Sequence, residues 1–100
     1  MNHGVKLVTS PDATEFVLEH GGCLYVWAGT TACCGGTRFI EASTEPPVDA
    51  ERFLRAITGD FDVFVRPAGP EGFPDELDVD LGGLRRRRVR AYWNGCAYLI

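Results

Sequence analysis

The tightest constraint on this chain is a pair of punctuation marks around one short helical period. Ser10-Pro11 opens it: serine is a favoured N-cap, and proline suits the first helical position, where a missing N–H costs nothing. Asp12 and Glu15 complement the positive end of the helix dipole. Ala13, Phe16, Val17 and His20 recur at helical spacing and define one inward face. Gly21-Gly22 closes the segment, because glycine accepts the left-handed conformation after a last helical turn.

Everything after Gly22 has a different period. Cys23-Leu24-Tyr25-Val26-Trp27 and Thr37-Arg38-Phe39-Ile40-Glu41-Ala42 are rich in branched and aromatic residues and are predicted as two strands of a hairpin. Pro46-Pro47 ends that pattern. Asp49 is then expected to cap a short helix running to Ile57, with Phe53, Leu54 and Ile57 inward and Gly59 as the stop. Phe61-Asp62-Val63-Phe64-Val65 and Leu77-Asp78-Val79-Asp80-Leu81 alternate as strands do, separated by a loop holding Pro67, Pro70 and Pro74. Gly82-Gly83 turns the chain into a strand from Arg86 through Trp93. Asn94-Gly95 specifies a two-residue type I′ turn, and Cys96-Ala97-Tyr98-Leu99-Ile100 is expected to return along the same hairpin. With Val5-Lys6-Leu7-Val8 as a short strand ahead of the helix, the expected fold class is α+β. It is a single domain over residues 1–100, a compact, mixed and partly closed β-sheet with one main N-terminal helix.

A length of 100 residues suits one hydrophobic core and not two. The longest apolar run, residues 23–29, is far short of a membrane span, so no membrane partner is expected. Met1-Asn2-His3-Gly4-Val5-Lys6 lacks the basic-then-apolar pattern of a secretion signal. The expected address is the cytoplasm, where thiols stay reduced and cysteines more often bind metal or react than form bridges. A net charge of −4 argues against nucleic acid as the main partner.

Chemistry concentrates in Gly29-Thr30-Thr31-Ala32-Cys33-Cys34-Gly35-Gly36-Thr37, an uncharged loop between the two predicted hairpin strands. A thiolate is both nucleophile and metal ligand, and its pKa falls near cations and oriented backbone N–H groups. Gly35 and Gly36 permit a concave set of N–H donors, and Arg38 follows closely. Small cysteines filling a turn would be the plain structural account. Buried cysteines, however, belong in apolar strands rather than in Gly/Thr tips. The loop is not a P-loop, since Thr37 stands where a lysine is required. Nor does the spacing of Cys33 or Cys34 to Arg38 suit a cysteine phosphatase. A zinc knuckle needs ligands two to four residues apart, whereas adjacent cysteines point in different directions. Cys23 and Cys96 stand alone on predicted strands, His20 is expected in the core, and His3 in a loose terminus. No Ser/His/Asp group, paired catalytic carboxylates or nucleotide fingerprint points to a conventional hydrolase or dehydrogenase.

The run Arg85-Arg86-Arg87-Arg88-Val89-Arg90 follows an acidic stretch. In a strand, alternate arginines point to opposite faces, and Glu76, Asp78 and Asp80 on the preceding strand are expected to pair with several of them. A surface that docks an acidic partner is the other reading.

In this order of elements the chain resembles the HesB-like family, which contains the A-type iron–sulfur carriers. The resemblance rests on Leu7-Val8-Thr9-Ser10-Pro11-Asp12-Ala13, the cysteine-tipped hairpin of residues 24–41, Val63-Phe64-Val65, and Leu77-Asp78-Val79-Asp80-Leu81. Cys33 matches the loop cysteine of the carriers without a gap. The carriers' C-terminal Cys-Gly-Cys pair has no counterpart here, where Cys96 stands alone; the Cys-Cys-Gly-Gly form is closer to a divergent branch with cysteine or selenocysteine before two glycines. The resemblance implies that Cys33, Cys34, Gly35 and Gly36 hold iron or an iron–sulfur cluster. It implies a homodimer sharing thiolates, with Cys96 as a further metal ligand, and acceptor apoproteins as partners. A metal-free redox-active thiol protein, with Cys33 or Cys34 as nucleophile, and an interaction domain with an inert loop are the alternatives.

Overall fold

The computed structural model describes residues 3–30, 38–57, 59–68, 72–83 and 85–99. The helix α1 (Pro11–Glu19) forms as its sequence dictates. The Ser10 hydroxyl accepts from the Ala13 N–H at 3.2 Å, and Ala13 and Val17 are buried. His20 departs from expectation: it is exposed at the C-cap rather than in the core. Its ring stacks on Phe16 at 4.1 Å, and Nδ1–H donates to the Phe16 carbonyl at 2.7 Å.

The strands are β1 (His3–Gly4), β2 (Lys6–Thr9), β3 (Cys23–Thr30), β4 (Arg38–Ser43), β5 (Leu54–Ile57), β6 (Asp62–Val65), β7 (Glu76–Gly82), β8 (Arg88–Trp93) and β9 (Tyr98–Leu99). The fold is mixed α+β, mostly strands, as expected. The single partly closed sheet resolves, however, into two. One is six-stranded in the order β1-β5-β6-β3-β4-β9, the other three-stranded in the order β2-β7-β8. Leu24, Val26, Val63 and Val65 of the large sheet face Leu77, Val79 and Trp93 of the small one, and α1 adds Ala13 and Val17 to the same core. Among the described residues, no helix is long and apolar enough to cross a membrane.

Three further expectations are corrected. First, the helix from Asp49 to Ile57 is a single 3₁₀ turn (Ala50–Arg52) followed by β5. The reason is competition for Asp49. Its carboxylate makes no helix cap and instead receives the Arg66 Nη1 donor at 2.6 Å. Phe53 leaves the turn in extended conformation to pack edge-on against Tyr25 and Trp27. Second, His3 lies in the edge strand β1, paired parallel with β5, rather than in a loose terminus. Third, the chain does not return along β8. Asn94 and Gly95 do make the tight turn, with φ of 50° and 82°. Only Trp93 and Cys96 then pair, and the chain crosses to the other sheet, where β9 pairs with β4. The Ile40 N–H donates to the Ala97 carbonyl at 2.9 Å, and Tyr98 meets the ring of Phe39, which together draw the segment away from β8.

Candidate functional site: the root of the cysteine hairpin

Cys33, Cys34, Gly35 and Gly36 lie outside the described residues. What the structure describes is the ribbon that carries them. β3 and β4 pair antiparallel through six positions, from Tyr25↔Ser43 to Thr30↔Arg38, so residues 31–37 join two strands held in fixed register. On the core side of the ribbon lie Val26, Ala28, Ile40 and Ala42; on the other side lie Tyr25, Trp27, Phe39 and Glu41.

The ribbon outruns its neighbour. β6 pairs with β3 only as far as Val26↔Val65, which leaves the β3 edge from Trp27 onward without a ladder on that side. Arg66 fills the step. Its backbone N–H continues the ladder to the Val26 carbonyl at 3.1 Å, and its Nη2 donates to the next carbonyl facing that edge, Ala28, at 3.2 Å. The same guanidinium holds Asp49 and lies 5.9 Å from the centre of the Phe53 ring. One arginine thus ties the 3₁₀ turn, the aromatic face and the root of the hairpin together. On the other strand, Arg38 donates to the Ala68 carbonyl at 3.3 Å, so the segment after β6 braces both strands. The carboxylate of Glu41 lies over the bare backbone of Gly29, where a side chain at 29 would otherwise begin.

The Arg66 hydrogen bond holds the Asp49 carboxyl below its usual value of about 3.8. A carboxyl depressed on folding contributes stability above its unfolded pKa, and that contribution is lost as pH falls through the folded value. Arg66→Met is therefore expected to lower Tm at neutral pH, with the gap to the parent protein narrowing below about pH 4. Thermal melts of both proteins across that range check it; a gap independent of pH would show that the ion pair is not the cause.

The further predicted ligand, Cys96, is placed by register. Leu99 stands opposite Arg38, at the mouth of the hairpin, and β9 runs antiparallel to β4, so Cys96 lies three residues back toward the far end of the ribbon. It is exposed, in the turn that closes β8, with its N–H and carbonyl both bonded to Trp93. Cys23 is half-buried at the start of β3, the end remote from the hairpin tip. The fold therefore brings Arg38 and the last strand to the root of the cysteine loop and sets Cys23 and Cys96 away from that root.

Arg66 carries no sequence motif that marks it for this role. The one available signal was an arginine directly after an alternating strand and before a proline-rich loop.

Residues 5–89, a span that includes the whole ribbon and its cysteines, match the model of a family described as "CC/Se motif containing family". The chain belongs to this CC/Se family. The match corrects the HesB-like resemblance, because the segments that carried it, from Leu7 to Leu81, all fall within the CC/Se span. No curated protein and no solved structure matches the chain. Within the CC/Se match, Cys33-Cys34 is the sole pair of adjacent cysteines.

Proposed function

We propose that this CC/Se protein is a redox-active thiol protein whose working groups are Cys33 and Cys34, acting in a reducing, cytoplasmic setting. The observation that carries the reading is the family match, whose description names a CC motif and whose span includes only one such pair. We take "Se" as selenium in place of cysteine sulfur. Sulfur and selenium are interchangeable where a soft nucleophile or a two-electron couple is needed, whereas a cysteine used as packing gains nothing from selenium.

The step is thiol–disulfide exchange. One thiolate of the pair attacks a substrate disulfide, forming a mixed disulfide and releasing a substrate thiolate that takes up a proton. The neighbouring cysteine, as thiolate, attacks the mixed bond. This forms a Cys33–Cys34 disulfide and releases the second substrate thiol, so two electrons pass from the pair to the substrate. Adjacent cysteines close an eight-membered ring, and strained disulfides are readily reduced, which returns the pair to its starting state at the expense of a cellular dithiol.

The test is the rate of alkylation of each thiol against pH, read by mass spectrometry in a Cys23→Ser, Cys96→Ser background. One of Cys33 and Cys34 is expected to react with a pKa well below the free-cysteine value of about 8.5; values near 8.5 for both would overturn the reading. The iron reading, with a homodimer sharing thiolates, no longer has the carrier resemblance that raised it. It returns only if anaerobic reconstitution with iron and sulfide gives charge-transfer absorbance that Cys33→Ser and Cys34→Ser abolish.

A further inference from the structure

The face of the β3–β4 ribbon turned away from the core carries a carboxylate set among aromatic rings. We propose that this face, at Trp27, Phe39, Glu41 and Tyr98, docks an arginine side chain on an extended segment of a partner protein. The inference concerns what binds beside the hairpin and stands apart from the thiol reading.

Register builds the site. Trp27 lies directly opposite Glu41, and Gly29 opposite Phe39, so the four positions share one face. Phe39 also stands opposite Tyr98 of β9, and their rings meet edge-on with centroids 6.5 Å apart. Gly29 offers no side chain, and the Glu41 carboxylate leans across onto that bare position. One carboxylate therefore has an indole across the ladder and a phenylalanine–tyrosine pair beside it. Phe39 is 41% and Tyr98 50% exposed, and Glu41 is exposed with them. Exposed aromatic groups gathered on one face mark a contact surface.

Charge selects the occupant. Glu41 has no hydrogen-bond or ion-pair partner among the described residues. Arg66 donates to Asp49 and the Ala28 carbonyl, and Arg90 is held by Asp80. Arg88 and Arg90 line the groove on the β8 side of β4, whereas the Glu41 carboxylate leans the other way, toward β3. A guanidinium answers both parts of the site, because it is planar, stacks on aromatic faces and offers a carboxylate two parallel N–H groups. An open sheet face does not enclose a small molecule, but an extended segment can lay alternate side chains along it. The occupant is a different protein. Arg85, Arg86 and Arg88 of a second copy are exposed, but their docking here would be head-to-tail and would build rings or open filaments.

The probe is a short capped peptide of alternating arginine and serine, titrated into the full chain by fluorescence anisotropy and by NMR. Binding is expected to shift the indole N–H resonance of Trp27 and to leave that of Trp93, which is 2% exposed, in place. Affinity is expected to fall about tenfold in Glu41→Gln, an exposed site whose fold is checked by circular dichroism, and to stay unchanged in Glu19→Gln, which removes the same charge from α1. The same peptide with citrulline for arginine keeps the planar shape without the charge and is expected not to bind. No binding, an unmoved Trp27 resonance, equal binding of the citrulline peptide, or equal affinity of the Glu41→Gln and Glu19→Gln proteins would each overturn the proposal. Free arginine amide binding as tightly as the peptide would also overturn it, since the ligand would then be a small molecule. So would self-association in sedimentation that the arginine peptide reverses, since the site would then belong to a second copy.

Discussion

Trp93→Ala is expected to lower the free energy of unfolding by about 3–5 kcal/mol, the usual loss for deleting a buried aromatic side chain. Trp93 is 2% exposed and lies opposite Leu77, itself fully buried. It also sits at a joint: its N–H and carbonyl make the two bonds that close the turn to Cys96, after which the chain changes sheets. Collapse around the cavity is opposed on one side by β7 and on the other by the crossing strand. The loss should therefore fall toward the upper part of that range. Urea denaturation followed by circular dichroism measures it; a loss below about 1 kcal/mol would mean that Trp93 does not fill the space between the sheets. Trp27, which lies on the outer face of β3 against Phe53, supplies the contrast. Trp27→Ala is expected to cost less, because Trp27 remains partly exposed.

The second large effect is expected at Gly83, between β7 and β8. Its φ is +98°, a conformation that costs a side-chain-bearing residue about 1–3 kcal/mol. A Cβ there would also run into the backbone carbonyl of Arg86, which cannot swing aside as a side chain would. Gly83→Ala must therefore rebuild the turn, and it is expected to destabilise by more than the conformational cost alone. Gly95→Ala makes the comparison clean. Gly95 also has positive φ, at +82°, but an added Cβ would meet nothing within 4 Å. Only the conformational cost should appear there. Equal losses at the two glycines would show that the Arg86 carbonyl does not restrict the turn.

What the sequence made legible was decided locally. The α1 start was readable because Ser10 bonds to Ala13, three residues away, and the Asn94-Gly95 turn because positive φ selects those residues. What it hid was decided at a distance. The Asp49 helix failed because Arg66, seventeen residues on, takes the carboxylate a cap would use. The final strand left its hairpin because Phe39 and Ile40, far back in the chain, offered it a better edge. The acid–arginine pairing was half legible. Asp80 and Arg90 pair across the ladder as alternation requires, but Glu76 lies 3.7 Å from Lys6 of β2, and Arg85, Arg86 and Arg87 precede the strand altogether. The cysteine pair stood out from composition alone, and the family match spans it, whereas the HesB-like segments are each too short to decide membership.

The placement of the two outermost strands of the large sheet has a practical consequence for handling the protein. β1 and β9 lie at opposite edges, five strand spacings or roughly 24 Å apart. A fluorophore or affinity tag joined beyond Leu99 would emerge beside Arg38, at the mouth of the β3–β4 hairpin. The same group joined ahead of Gly4 would emerge on the remote side of the molecule. A label meant to leave the mouth of that hairpin open therefore belongs ahead of β1 rather than after β9.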